Sequence, residues 1–140
     1  MSLLINSAET VFLIVQVLAV SFLAILFLQS GLDKVVDKKG NLDWLSSHFA
    51  NSPFKNFVPA LFFTITVVEL LSGILNLLGV VFLLIEGSLM LALYGTILAS
   101  VALIMLFLGQ RIAKDYVGAQ SLVSYFILTI LTLLVFGYTM

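Results

Sequence analysis

The chain has 140 residues, 62% of them hydrophobic and 9% charged, with a mean hydropathy of +1.25. That balance excludes a water-soluble domain, which would have too little polar surface to face solvent. A formal net charge of −1 with no basic tract excludes nucleic acid as a partner, and the absence of Cys excludes a disulfide, a thiolate metal site or a thiol redox couple.

At about 20 apolar residues per crossing, the length accommodates four membrane spans and little else. The N-terminal segment lacks the basic region of a secretory signal, so the first apolar run reads as a span and not a cleaved leader. That span is placed at 9–30, with Asn6 and Glu9 at the spacing of a helix start and Gly31 as its stop. From Asp33 to Asn56 the composition turns polar. The second half of this loop sets Leu42, Leu45 and Phe49 at helical spacing beside Trp44, the pattern of a short helix lying in the membrane interface.

Pro59 opens a second span at 58–78, stopped by Gly79, and a third is placed at 88–108. A polar connection from Gly109 to Asp115 leads to a fourth at 119–138. The expected architecture is therefore all-α: one transmembrane domain forming a four-helix bundle, with a short interfacial helix in the first loop.

The six basic residues fall on one side of this layout. Lys34, Lys38, Lys39 and Lys55 lie in the first loop, Arg111 and Lys114 in the third. The bias of Lys and Arg toward the cytoplasm then places both loops inside and both termini outside, periplasmic in a bacterial inner membrane.

Within the spans the residue that demands an explanation is Glu69. Counted from the start of its span at 1.5 Å per residue it lies about 16 Å deep, near the middle of a hydrocarbon core about 30 Å thick. A carboxyl group there must be neutral, paired with a base, or turned to a polar interior. The same count brings Ser21, Thr96 and Thr129 to its level as hydroxyl partners. Thr66, Glu69, Ser72, Gly73 and Asn76 share one face of the second span, which should look inward. Ser88, Ala92, Gly95, Ala99 and Ala102 form a matching stripe of small residues on the third, where another helix can approach closely. Gln16 and Tyr94 fall near the depth of Asn76 and are expected to add a second polar layer. His48 has no second His or Cys to share a metal with, so no metal is assigned.

Phe27-Leu28-Gln29-Ser30-Gly31-Leu32-Asp33-Lys34, the Phe57 to Pro59 segment and the run from Val68 to Gly79 together resemble the DoxX-like family of four-helix membrane proteins, which includes MauE-type redox-associated members. The resemblance covers nearly the whole chain in layout. It departs from the family in lacking an Arg near the start of the first span and a basic C-terminal tail, and many relatives look N-terminus-inside by their own charges. It singles out Gly31, Lys34, Glu69 and Gly73 and implies a small partner of a membrane redox system. Lys34 sits just past the first span, and Glu69 is expected to be too deep for an easy direct contact with it.

The reading with no catalytic residue is an accessory or assembly subunit of a larger inner-membrane complex, surrounded by lipid and other membrane subunits. Its alternative is a bundle that binds a quinone or a lipid, with Glu69, Asn76 and Tyr94 supplying the polar contacts and Gly73 and Lys34 completing the candidate set. No covalent cofactor is expected. A transporter is the weakest reading, for want of an inverted repeat or a second buried acid. For topology, a Cys replacing Lys38 or Lys39 should resist an impermeant thiol reagent in intact cells, and terminal reporters should read as periplasmic. Labelling of that Cys would reverse the orientation.

Overall fold

The computed structural model describes residues 7–140, so the proposed start signal at Asn6 lies outside the described residues. Helix α1 runs Ala8–Val36 and α2 Lys38–His48. After a short 3-10 turn at Lys55–Phe57 follow α3 Val58–Glu86, α4 Met90–Ile112, α5 Tyr116–Ser121 and α6 Val123–Thr139. Among the described residues, four helical stretches are long and apolar enough to cross a membrane: Ala8–Val36, Lys55–Glu86, Met90–Ile112 and Tyr116–Thr139. The protein is an all-α four-helix bundle and, on this length and apolarity, a multi-pass integral membrane protein.

The helix ends follow local chemistry. Ser7 caps α1, its hydroxyl accepting from the Thr10 amide at 3.2 Å. Asp37 closes α1 and opens α2, its carboxylate accepting from the Gly40 amide, while Asn41 Nδ2 donates back to the Asp37 and Asp33 carbonyls. Pro59 stands in the first turn of α3, where its missing N–H costs nothing. Gly87 ends α3 at φ 68°, a left-handed position that glycine takes without a Cβ clash. The fourth crossing is interrupted at Leu122, which separates α5 from α6.

Two expected stops are overturned. Gly31 and Gly79 do not end their helices, which run on to Val36 and Glu86. They are places where backbones cross. A Cβ on Gly31 would lie 3.2 Å from the Leu70 amide nitrogen, one on Gly73 2.7 Å from that of Leu28, and one on Gly79 2.7 Å from the Ala92 Cα. A Cβ on Gly95 would meet the Asn76 amide nitrogen at 2.8 Å. These crossings seat α1 and α4 on either side of α3, whose inward face carries Thr66, Glu69, Ser72, Gly73 and Asn76, all buried. The facing stripe of α4 buries Gly95, Ala92, Ala99 and Ala102 as expected, but Ser88 falls in the turn before the helix. Close approach of small residues is the main source of packing between helices in lipid, where no hydrophobic gain separates them from their surroundings.

Helix α6 packs against α4 and α1 and completes the bundle. Leu23, Phe27, Ile65 and Leu103 fill the half nearer the first and third loops, Val20, Leu83, Ala92 and Phe136 the half nearer the termini. Leu18, Ile25, Phe63, Leu84, Ile104 and Leu134 point outward, as the apolar exterior of a lipid-facing bundle requires.

Gly73→Ala pushes a methyl group into the α1 backbone and should cost about 1–3 kcal/mol, read as a lowered melting temperature in detergent. Gly137→Ala, which meets nothing within 4 Å, should leave the melting temperature near that of the parent.

Candidate functional site

The Gly31–Leu70 and Gly73–Leu28 crossings fix the register between α1 and α3. Extended along both helices, that register puts Val36, the end of α1, level with Ile65 and about seven residues inside the start of α3. At 1.5 Å per residue the offset is about 10 Å. It brings the last turns of α1 down to Glu69. Lys34 Nζ lies 2.7 Å from Glu69 Oε1, and the Ser30 hydroxyl donates to Oε2 at 2.5 Å. Lys34 also donates to the Ser30 hydroxyl at 3.1 Å and reaches its carbonyl at 3.4 Å.

The expectation that Lys34 could not easily reach Glu69 is therefore corrected. Counting depth along each span assumes that all helices start at one plane, and α1 and α3 do not. Glu69 is 1% exposed, and the Lys34 ammonium is the only group within polar contact of Oε1 among the described residues. The expected hydroxyl partners are turned elsewhere. Thr129 donates to the Phe126 carbonyl within its own helix, Thr96 faces Asn76 Oδ1 at 3.5 Å, and Ser21 has no contact with the carboxyl group.

The other candidates separate into two groups. Asn76 belongs to a buried polar cluster between α3 and α4, where its amide donates to the Ser72 carbonyl at 2.9 Å and the Ser72 hydroxyl donates to the Gly95 carbonyl at 2.9 Å. Gly73 supplies the α1 crossing. Tyr94, placed beside Asn76 from the sequence, is instead 50% exposed on the outer surface of α4, because the inward face of that helix is taken by Gly95, Ala92 and Ala99. Gln16 donates to the Thr139 hydroxyl at 2.8 Å and ties α1 to the end of α6, so it forms no layer with Asn76.

Sequence reasoning missed a cavity of about 300 Å³ beside the ion pair, between α2 and the loop-side ends of α3 and α4. Its walls are mostly apolar, with Phe49, Phe54, Phe62, Ile65, Met105 and Leu106 among them. Lys34, Asn41, Trp44, His48 and Gln110 are the residues of the lining that carry polar side-chain groups. Helix α2 forms one side because His48 joins it to the end of α4 and to the α4–α5 connection: Nε2 lies 2.6 Å from Gln110 Oε1 and 3.6 Å from Asp115 Oδ2. Trp44, one turn earlier, stacks on the imidazole with ring centres 4.4 Å apart, and Phe49 meets its edge at 5.3 Å. Trp44 and Phe49 were visible in the sequence as interfacial aromatics. Gln110 and Asp115 lie more than sixty residues from His48, and no local pattern announces that contact.

Among the described residues, no group of three or more His, Asp or Glu comes together to hold a metal. Comparison of the chain with protein-family models, with curated proteins and with solved structures finds no match.

The ion pair can be dissected by substitution. Lys34→Met strands a buried carboxylate and should destabilise the bundle by about 3–5 kcal/mol. Glu69→Leu leaves a 15% exposed ammonium that can turn toward the loop, and should cost less. The Lys34→Met/Glu69→Leu double variant should recover most of the loss, measured by thermal unfolding in detergent. A double variant as unstable as Lys34→Met would show that the pair is not what holds this region.

Proposed function

We propose that the protein is a non-catalytic membrane protein that holds a small amphipathic molecule, a quinone or a lipid in chemical class, in the cavity beneath α2. The observation that carries this reading is the cavity itself. A volume of about 300 Å³ lies at the lower end of small-molecule sites, and an apolar wall with a few convergent polar side chains is their usual makeup. Glu69 contributes through Lys34, which stands on the cavity wall, and not by direct contact. Asn76 and Tyr94 have no place in this site. The setting in this reading is a bacterial inner membrane, and the charge distribution supports a cavity at its cytoplasmic side.

A place as accessory subunit of a larger membrane complex, the role implied by the DoxX-like resemblance, is a second reading compatible with the first. It is favoured by the fourth crossing, of which 17% is buried inside the bundle against 28–33% for the other three. That leaves a broad apolar surface for a neighbouring subunit or for lipid.

One purification tests both readings. From mild detergent, native mass spectrometry should find an amphipathic small molecule retained at one per chain, and its retention should fall severalfold in Ile65→Phe/Leu106→Phe, which fills the cavity. Equal retention in the filled variant would remove the ligand reading. Failure of any membrane protein to co-purify in stoichiometric amount would remove the accessory one.

A further inference from the structure

Lys34 is the only Lys, Arg, Asp or Glu among the residues that line the cavity. Its ammonium has three hydrogens to donate and three acceptors in reach: Glu69 Oε1, the Ser30 hydroxyl and the Ser30 carbonyl. An incoming anion would therefore have to displace Glu69, whose carboxylate, 1% exposed, has no other cation within contact among the described residues. Displacement would leave that carboxylate buried and unpaired, which costs more than one ionic contact returns.

The polar groups with capacity to spare are of another kind. His48 Nε2 and Gln110 Oε1 are engaged with each other at 2.6 Å, which leaves the other ring nitrogen of His48, Nδ1. Neither Nδ1 nor the Trp44 indole N–H hydrogen-bonds to any described residue. Besides Lys34, the polar side chains of the lining are thus those of Asn41, Trp44, His48 and Gln110, around an otherwise apolar chamber.

We propose that this cavity takes single-chain amphiphiles whose head is an uncharged hydroxyl or carbonyl, and that Glu69 is the residue that sets this selectivity by occupying the one cation on the wall. Glu69 is a positioning residue here, acting through Lys34. The proposal rests on the ligand-binding reading above and sharpens it from amphipathic molecules in general to those with neutral heads.

Trp44 is the single Trp of the chain and lines the cavity, so its fluorescence reports occupancy. The full chain in detergent is titrated with a bromine-substituted long-chain alcohol and, separately, with the sulfate ester of the same alcohol, which is anionic at any working pH. The specific part of the quenching is the part displaced by the unbrominated parent. In the wild type the alcohol should quench saturably and the sulfate should bind at least roughly tenfold more weakly. In Glu69→Gln the freed ammonium should tighten sulfate binding by roughly tenfold, the scale of one hydrogen bond to a charged group, with little change for the alcohol. Glu69→Leu carries the same expectation should the glutamine variant fold poorly. Lys34→Met/Glu69→Leu should keep the alcohol and gain nothing for the sulfate. Equal wild-type affinity for the two, or no gain for the sulfate in folded Glu69→Gln or Glu69→Leu, would overturn the charge-selectivity proposal while leaving the cavity a ligand site. Absence of displaceable quenching by either compound in the wild type would instead overturn the ligand reading, and this proposal with it.

Discussion

A carboxyl group enclosed in a membrane bundle at 1% exposure constrains everything placed around it. Insertion of a lone charge near the bilayer centre costs about 2.5–3.5 kcal/mol or more, so a charged Glu69 needs a cation at contact distance. Lys34 provides it at 2.7 Å, with Ser30 holding the second oxygen. That contact exists only if α1 comes down beside α3 in one register. The glycines at 31 and 73 permit that register by letting backbone lie against backbone. The ion pair and the glycine crossings are thus parts of one arrangement: the crossings bring the charges together, and the charges penalise any other register.

The same offset between α1 and α3 creates the cavity. Because α1 stops level with Ile65, the first two turns of α3 have no α1 neighbour. Helix α2 turns back into that space and covers it in part. It is a weak helix by itself, with no residue of its own fully buried, and it is held by its ends: the Asp37–Asn41 corner at one, and His48 with the buried Phe49 at the other. What it leaves uncovered beneath Trp44 and His48 is apolar and open enough for a small molecule. A cavity at this position follows from helices of unequal reach, without any dedicated loop.

Two polar regions inside the bundle differ in kind. Between α3 and α4, Ser72, Asn76 and Thr96 hydrogen-bond among themselves and to backbone, which satisfies their needs without reference to anything outside. Between α1 and α3 the polar group is an ion pair with one member on a cavity wall. Only the second opens onto a cavity, which is why Asn76 reads as packing and Lys34 belongs to the proposed site.

The sequence by itself determined the class of fold and the number of crossings, because apolar runs of about 20 residues have few alternatives in a membrane and because the chain has too little polar surface for water. It also determined the inward face of α3, since Thr66, Glu69, Ser72, Gly73 and Asn76 repeat at helical spacing, and it marked Glu69 as the residue needing an explanation. Tertiary structure alone decided what that explanation is. Periodicity gives the angle of a residue around its own helix but not the height of one helix against another. The pairing of Lys34 with Glu69, the exposure of Tyr94 and the cavity between α2, α3 and α4 all depend on that height. Gly31 and Gly79 show the same limit: a glycine after an apolar run reads equally well as a stop or a crossing, and the choice is made by whether another backbone lies against it, as those of Leu70 and Ala92 do here.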